Sequence, residues 1–427
     1  MRGYPDPRRN GVNIRAASRT ACTAFILLLG AGTFLLTDAA AQPESSDAAS
    51  PELDASFRLF PAPLWSRSAG FAAGVGFEVE NSLRPYDRLL VAAKPGQHLG
   101  RYSATYFAGD PARQALYGLA NVYFETTGRR WYYGAGPASS MRDRIAVEKR
   151  MIEAELRGGI QVLGRRLFLQ PSWAFHRQDV RDVRNWDERA LMRLSAASLR
   201  HLDAASGSLP GTSALQRGIS YGTAAGLDLR DRPYRPRRGV LLQASMRRFR
   251  FQEPGNLRFE RYAVGAYGYL PLRGGVLSLR TLLELTEADG DVTLPFYFLP
   301  SLDGRTLPGY AIHRFFGNDL FALTVEYAVP LFQFANVVAL DALFSAGAGS
   351  VYDDISEQFE ARISFDDVFD DGAGAYPLRP SAATGIALES DARGWDVRIL
   401  LGWGTEGLRL VKFGFVHDVQ GIELNKR

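Results

Sequence analysis

Cysteine and histidine are scarce in this chain, and their scarcity excludes several kinds of chemistry. The only cysteine among the 427 residues, Cys22, lies at the front of an apolar stretch, where a lipid-accepting cysteine would not stand. Once that stretch is removed, no thiol is left for disulfides or thiol catalysis. The five histidines fall in separate segments of the chain, at His98, His176, His201, His313 and His417.

The few histidines also argue against catalysis. A hydrolase needs a positioned base, usually histidine, beside a nucleophile, and the chain has no His-Glu-x-x-His helix. His201 lies close to Asp203, but a solvated loop histidine explains that pair better than a catalyst. We therefore predict a protein that is not an enzyme and that binds no cofactor and no metal.

Long apolar runs are missing except for one near the start. Arg15 and Arg19 precede residues 21–37, and three alanines before Gln42 offer a small-residue cleavage site. This pattern predicts a secretory signal peptide over residues 1–41. A retained anchor helix is the alternative, but the stretch is marginal in length for a membrane span.

The charge pattern favours no nucleic-acid partner. The net charge is only +4, and arginines are interleaved with acidic residues along the chain instead of forming a basic stripe. In contrast, the 43 glycines, 26 phenylalanines and 18 tyrosines are typical of sheets that bend and meet a membrane interface.

The body of the chain alternates apolar and polar residues with a period of two. In the clearest segment, residues 320–331, Phe321, Leu323 and Val325 share one face, while Thr324 and Glu326 share the other. An apolar face toward lipid and a polar face toward a wet lumen characterise membrane barrels. The pattern predicts about sixteen strands, at residues 71–80, 88–94, 98–107, 115–125, 130–136, 144–158, 166–176, 220–230, 240–251, 258–272, 276–286, 320–331, 337–351, 378–388, 395–403 and 408–416.

These strands predict an all-β fold, a transmembrane antiparallel up-and-down β-barrel with long extracellular loops. The expected organisation is a signal peptide at 1–41, a short periplasmic segment at 42–68, an outer-membrane barrel at 69–419 and a tail at 420–427. We expect a monomeric barrel that contacts outer-membrane lipids.

Orientation is predicted from the lengths of the connections, because periplasmic turns are short and outer loops are long. Tight links occur at residues 94–96, 163–164, 232–239, 272–275 and 332–336, and long ones at 176–218, 287–318 and 352–377. The acidic stretch 353–371 has the composition of a calcium loop, but it lacks the alternating ligand spacing and is better interpreted as a solvated loop.

A short motif around one tight link combines proline with paired charges. Asp228, Arg230, Asp231 and Pro233 precede Gly239. Proline cannot donate a ladder hydrogen bond and therefore belongs in a turn. The carboxylates and arginines can form ion pairs at the rim of this turn. A well-capped periplasmic turn is the favoured interpretation.

A second motif lies in a long connection. Leu307-Pro308-Gly309-Tyr310 is followed by Arg314-Phe315-Phe316-Gly317-Asn318 and by the strand that carries Glu326. Glycine beside tyrosine allows a close backbone bend that presents an aromatic ring. A third and weaker motif is the aromatic-glycine segment at residues 132–136.

Together these three stretches resemble the bacterial surface antigen superfamily, the BamA and TamA type of outer-membrane assembly barrel. The resemblance covers the chain from about residue 69 onward. It implies that the loop with Gly309 and Tyr310 folds into the lumen, and that Glu326 is a candidate partner there for a cation such as Arg314 or Arg305.

The sequence departs from this family in two ways. Pro308 stands where the family's loop tip carries arginine, and residues 343–347 lack the matching carboxylate, with Asp341 the only one nearby. Both halves of the family's ion pair are therefore expected to be missing. Residues 42–68 also leave no room for a POTRA domain, so we expect a separate periplasmic partner.

The function implied by the resemblance is help with protein or lipid insertion or translocation at the outer membrane. A passive pore or structural barrel is the alternative. Gly70, Gly74, Gly76 and Gly414 lie in the strands expected to meet at the barrel seam, where they could weaken pairing, although barrel curvature explains them at least as well.

Overall fold

The fold is almost entirely β. The computed structural model describes residues 55–61, 64–66, 70–96, 99–109, 114–141, 145–164, 166–182, 215–232, 235–253, 256–290, 294–304, 306–334, 338–367, 369, 374–390 and 395–417. Within these ranges, no helix has the length and apolar character needed to cross a membrane. The expected signal peptide and C-terminal tail, together with Pro233 and Arg305, lie outside the described residues.

Twenty-one strands are present among the described residues. Their bounds are β1 Ser56–Pro61, β2 Leu64–Ser66, β3 Gly70–Ala72, β4 Val75–Glu80, β5 Arg88–Lys94, β6 Leu99–Ala108, β7 Leu116–Tyr132, β8 Ile145–Val162, β9 Leu167–Asp182, β10 Leu215–Asp228, β11 Gly239–Glu253, β12 Arg258–Leu272, β13 Gly275–Ala288, β14 Ser301–Leu302, β15 Phe315–Phe316, β16 Asp319–Phe334, β17 Val338–Tyr352, β18 Phe359–Ile363, β19 Tyr376–Ser390, β20 Trp395–Gly404 and β21 Gly407–His417.

One antiparallel sheet forms the wall of the barrel. Each wall strand pairs with the next in chain order, and the sheet returns to its start where Leu64 of β2 pairs with Gly414 of β21. β1 and β2 together form one interrupted wall strand, and β3 and β4 together form the next, because the pairs Pro61–Val75 and Leu64–Ala72 have the same register. We call each such position in the wall a course. Counting each of these couples once, the wall has sixteen courses, which confirms the predicted barrel.

Two details of the predicted strand assignment were wrong. One wall strand was missed and one predicted strand does not exist, so the predicted number of strands is unchanged. The first course begins at Ser56 and lies in the wall, within the segment expected to be periplasmic. The separate strand expected at residues 130–136 does not exist, because β7 continues to Tyr132 past a register shift between Thr127 and Arg130. A β-bulge of this kind interrupts the period-two alternation without ending the strand.

The connections alternate between two ends of the barrel. The strands β7 and β8, β9 and β10, β13 and β16, and β17 and β19 are connected at the long-loop end, and β8 and β9, β10 and β11, β12 and β13, and β16 and β17 are connected at the short-turn end. The tight link at residues 94–96 was expected on the periplasmic side, but strand order places it at the long-loop end.

Wall strands have the predicted two faces. In β16, Leu320 and Ala322 point inward and are buried, whereas Leu323 and Val325 point outward and are 36% and 38% exposed. Elsewhere the inward face is rich in buried polar side chains, among them Glu125, Glu153, Glu155, His176, Gln178, Gln216 and Gln243. An apolar outside around a polar inside is the arrangement that a membrane barrel requires.

The charged turn at residues 228–239 is capped as expected. Arg230 donates from Nε and Nη2 to the two carboxylate oxygens of Asp228 at 2.9 and 2.8 Å. Asp231 accepts the backbone N–H of Arg237 at 3.0 Å. Gly239 has φ of 110°, a conformation that L side chains rarely adopt, which accounts for glycine at this position.

A second turn at the short-turn end, residues 81–87, is organised by one carboxylate. Asp87 is buried and accepts the backbone N–H groups of Ser82, Leu83 and Arg84 at 2.6, 2.8 and 3.1 Å, and the hydroxyl of Tyr106 at 2.9 Å. Burial alone would raise the pKa of Asp87, but these hydrogen bonds together hold it below its ordinary value of 3.8.

Replacing Asp87 by asparagine should therefore destabilise the barrel in a pH-dependent way. A lowered carboxyl pKa contributes stability above the unfolded-state pKa, and that stability is lost as pH falls through the folded-state pKa. We expect Asp87→Asn to cost about 1–3 kcal/mol at pH 7. The difference should vanish near pH 2, as measured by urea unfolding in detergent micelles. Exposed Glu357→Gln is the control, and an Asp87→Asn cost independent of pH would contradict the assignment.

Candidate functional site: the inner loop and the seam

The loop between β13 and β16, residues 289–318, has structure of its own. It contains a short 3-10 helix, Phe296–Phe298, and a two-residue hairpin in which Ser301 pairs with Phe316 and Leu302 with Phe315. We call it the inner loop. The hairpin stem holds the tip, residues 303–314, in a defined position.

Packing places the inner loop inside the lumen. Leu302, Leu307, Tyr310 and Phe315 are completely buried, and they form one cluster with inward-facing wall residues. Those wall residues are Leu320 and Ala322 of β16 and Val351 of β17. The expectation that this loop folds inward agrees with this packing.

The tip of the inner loop contacts β19 and β20. The Gly309 N–H donates to Ser381 Oγ of β19 at 2.7 Å, and the Tyr310 hydroxyl donates to the Pro380 carbonyl at 2.8 Å. A Cβ on Gly309 would lie 2.2 Å from the carbonyl oxygen of Trp403 in β20. Only glycine permits this approach, so the tip and the wall fit by backbone contact.

A buried arginine fastens the loop to the last hairpin. Arg314 is 0% exposed and donates from Nε to Glu406 Oε1 at 2.5 Å, and Glu406 stands in the turn between β20 and β21. The same guanidinium donates to Ser139 Oγ at 3.0 Å and to the Ser139 carbonyl at 2.7 Å. Its charge is therefore paired and its donors are used, as a buried cation requires.

A second arginine is buried beside it. Arg379 of β19 donates to the Pro137 carbonyl at 2.6 Å and the Asp367 carbonyl at 3.2 Å. Both guanidinium groups lie over the ring of Phe315, Arg314 at 4.0 Å and Arg379 at 4.4 Å from its centroid. Cation–π contacts of desolvated groups are stronger than those in water, so Phe315 helps to hold both cations.

The expected ion pairs are rearranged. Glu326 faces the lumen as predicted, but its partner is Arg398 of β20, at 3.2 Å, and not Arg314. Asp341 is bound by Arg235 of the 229–238 turn at 2.5 Å. The family's ion pair was expected to be missing, and a different pair, Arg314 with Glu406, fastens the loop from other positions.

Sequence reasoning missed the residues that complete this site: Ser139, Arg379, Arg398 and Glu406. Arg314 lies 175 residues from Ser139 and 92 from Glu406 along the chain. No local pattern links positions so far apart. The only signal for Glu406 was an isolated carboxylate in a tight glycine-flanked turn.

The seam lies next to this fastening. Among the described residues, β2 and β21 share a single opposed pair, Leu64 and Gly414. In contrast, β20 and β21 pair along their length, from Trp395 opposite His417 to Gly404 opposite Gly407. Gly76 lies against the ring of Phe60, which would collide with any side chain there, so packing accounts for this glycine.

Three inward residues on neighbouring strands form a polar chain that was not foreseen. His176 Nδ1 lies 3.1 Å from Glu153 Oε2, and His176 Nε2 lies 2.7 Å from Ser220 Oγ. Gly218 and Gly222 flank Ser220 in a Gly-x-Ser-x-Gly spacing, a signal that our sequence analysis overlooked.

This chain has the connectivity of a hydrolase triad but not its setting. Ser220 lies in the middle of β10 instead of a strand-to-helix elbow, and it is 0% exposed. Each flanking glycine lies against the backbone of β11, where a Cβ would meet carbonyl oxygens at 2.4 and 2.2 Å. The glycines therefore serve strand packing, and the three side chains tie β8, β9 and β10 together.

Comparison with known proteins agrees with this architecture. Residues 190–391 match the model of the Omp85 superfamily domain, a stretch that contains the inner loop, β16 and β17. No curated protein matches the chain significantly.

Two solved structures share the fold. BamA from Haemophilus ducreyi lacking POTRA domains 1-3 aligns with a TM-score of 0.51 at 15% identity, covering 85% of this chain and 68% of that one. CdiB from Escherichia coli aligns with a TM-score of 0.51 at 12% identity, covering 87% of this chain and 62% of that one. The chain thus spans about two thirds of each relative. From the sixteen-course wall, the inward loop and the matching domain, we conclude that this chain is a bacterial outer-membrane β-barrel whose residues 190–391 match the Omp85 superfamily domain.

Proposed function

We propose that this barrel helps to insert proteins into the outer membrane, or to move them across it, by parting at the seam between β2 and β21. The observation that carries the proposal is the Arg314–Glu406 contact, because Glu406 stands in the turn that leads directly into the seam strand β21. The inner loop is thereby placed so that it can control the position of the β20–β21 hairpin.

Pairing energies favour opening at this seam. A backbone hydrogen bond contributes about 0.5–1.5 kcal/mol net, and one opposed pair can exchange two such bonds at most. Among the described residues, parting the Leu64–Gly414 pair therefore costs far less than separating β20 from β21, whose ladder extends over both strands. A client strand could take the free edges by β-augmentation.

A passive pore remains the alternative function. The lumen wall offers charged groups to ions, including Arg157, Arg247 and Glu155 in one ion-paired group. However, the inner loop packs its apolar side chains against the inward wall face, which supports a gated lumen more than an open one. Single-channel conductance in planar bilayers separates the two functions, since a passive pore conducts without a client.

We also propose that a separate periplasmic protein delivers the clients to the short-turn end. Purification of the barrel from native membranes after cross-linking, followed by mass spectrometry, tests this part. Recovery of the barrel without any periplasmic protein that binds unfolded chains would contradict it.

Locking the seam should stop insertion. Opposed residues in a strand pair have Cβ atoms about 4.5–5.5 Å apart, close to the range that a disulfide needs. We expect oxidised Leu64→Cys/Gly414→Cys barrel, reconstituted in vesicles, to insert an unfolded small β-barrel client at the rate of empty vesicles. Reduction should restore the rate.

A matched pair of substitutions controls for cysteine and oxidation. Thr105 and Asn121 oppose each other on β6 and β7, with side-chain oxygens 2.8 Å apart, on a part of the wall away from the seam. Thr105→Cys/Asn121→Cys should insert clients equally well oxidised and reduced. If the locked seam variant also kept its full rate, opening at the seam would be disproved.

The Arg314–Glu406 pair should behave as a coupled buried pair. Removing one partner leaves an uncompensated charge, so we expect Arg314→Met or Glu406→Gln alone to lower the unfolding free energy by about 3–5 kcal/mol. The double variant should lose less than the sum of the two. Urea unfolding in micelles measures all three.

A surface pair provides the comparison. Arg362 and Glu360 also form an ion pair, but their side chains are 62% and 37% exposed. Arg362→Met should leave the unfolding free energy almost unchanged, because an exposed ion pair is screened by solvent. Additive losses for the Arg314 and Glu406 variants would show that the two side chains stabilise the barrel independently.

We propose that the polar chain of Glu153, His176 and Ser220 is structural, and that the protein is not a hydrolase. The complete burial of Ser220 supports this. We expect a fluorophosphonate probe to label neither the wild type nor Ser220→Ala in the folded barrel. Labelling of the wild type that is lost in Ser220→Ala would overturn the proposal.

A further inference from the structure

The outer face of the wall carries arginines at the long-loop end of five adjacent strands, β8 to β12. We call this group the outer arginine patch. It consists of Arg150, Arg177, Arg217, Arg248, Arg250 and Arg258.

Strand alternation shows that these side chains face outward. Gln178 and Gln216, next to Arg177 and Arg217, are 5% and 1% exposed and point into the lumen. Phe249 and Phe251, on either side of Arg250, are likewise buried. In each case the arginine itself is exposed.

The register sets like charges directly opposite one another. Arg177 of β9 is paired with Arg217 of β10, and Arg250 of β11 is paired with Arg258 of β12. Like charges opposed across a strand pair are destabilising. Among the described side chains, no carboxylate forms an ion pair with any of these four arginines, although Glu253 of β11 lies opposite Arg217 in the strand register.

Two members of the patch do have carboxylate partners. Arg150 pairs with Glu148 at 2.8 Å, and Arg248 pairs with Glu260. Asp179 lies opposite Arg150 across the β8–β9 pair. With Glu253, four carboxylates lie beside the six arginines, so the patch keeps a positive excess.

The patch lies at the edge of the lipid-facing surface. Below it, toward the short-turn end, the outward side chains are apolar or aromatic, with Trp173, Ile219, Tyr221 and Val264 all at least 36% exposed. Arg250 lies over the Tyr221 ring, 5.4 Å from its centroid. Aromatic residues of this kind mark the interface between lipid chains and head groups.

The height of the barrel wall also places the outer arginine patch at the edge of the lipid-facing surface. Arg250 and Val240 are ten residues apart on β11, and both face outward. At about 3.3 Å per residue and a tilt of about 35–45°, this distance corresponds to roughly 25 Å across the membrane. That is the height of the apolar band of an outer-membrane barrel, so Arg250 lies at its extracellular boundary.

We propose that the outer arginine patch binds the phosphate groups of an anionic glycolipid in the outer leaflet. A guanidinium fork can donate two parallel hydrogen bonds to a phosphate, and one phosphate between opposed arginines would convert their repulsion into a shared contact. Acyl chains attached to the same lipid would lie on the apolar surface below. This inference does not depend on the insertion function.

The test compares lipids that differ only in phosphate. The purified full-length barrel in detergent is titrated with bis-phosphorylated lipid A, with the enzymatically dephosphorylated form, or with inorganic phosphate alone, and native mass spectrometry measures bound lipid. We expect phosphorylated lipid A to bind at least tenfold more tightly than the dephosphorylated form. We expect the double variants Arg177→Gln/Arg217→Gln and Arg250→Gln/Arg258→Gln each to reduce that binding about tenfold.

The unfolding temperature gives a second measurement, in which the wild type and the glutamine variants should rank in opposite order without and with lipid A. Without lipid A, the glutamine variants should unfold at the same temperature as the wild type or higher, because the like-charge repulsion is gone. With lipid A, the wild type should gain more than the variants. Arg362→Gln, on an extracellular loop outside the patch, should bind lipid as the wild type does.

Three results would overturn the proposal. They are equal binding of the phosphorylated and dephosphorylated lipids, unchanged binding by both double variants, and displacement of the lipid by millimolar inorganic phosphate. The last result would identify a site for soluble anions instead of a lipid head group.

Discussion

Backbone N–H and C=O groups that face lipid must be paired within the protein, and this constraint governs the whole molecule. A sheet meets it only if it closes on itself, because an open edge would leave a row of polar groups in hydrocarbon. Closure depends here on the contact of the first and last courses, where Leu64 meets Gly414. The rest of the wall is a continuous ladder, so the limited pairing at the seam distinguishes one place on an otherwise uniform barrel.

The inner loop adds a second layer of organisation at that place. Arg314 and Arg379 are fully buried cations, and such groups persist only where nearby carboxylates, carbonyls and rings satisfy them. Their hydrogen-bond partners come from the 133–144 loop, from the loop that precedes β19 and from the β20–β21 turn. The two arginines thus couple the loop tip to the strands beside the seam, which joins lumen packing to wall closure.

Much of the fold was predictable because a membrane barrel repeats one simple rule. Alternation at β16 correctly placed Leu320 inside and Leu323 outside, and short turns at residues 163–166 and 273–274 showed which end was which. The errors arose where the rule is broken locally. The bulge after Thr127 disguised one strand as two, and the first course near Ser56 was hidden by Pro61 and Pro63, which interrupt its alternation.

The sequence by itself determined the class of protein and the two-faced strands, because these depend on residue type and local spacing. The inward course of the loop with Gly309 and Tyr310 was implied only by the family resemblance. Only the tertiary structure decided which charges meet. Glu326 bonds Arg398, Asp341 bonds Arg235 and Arg314 bonds Glu406, although the sequence offered other partners for each. An ion pair in a barrel is set by strand register and by where a loop returns to the wall. Those are properties of the closed sheet, and no stretch of neighbouring residues contains them.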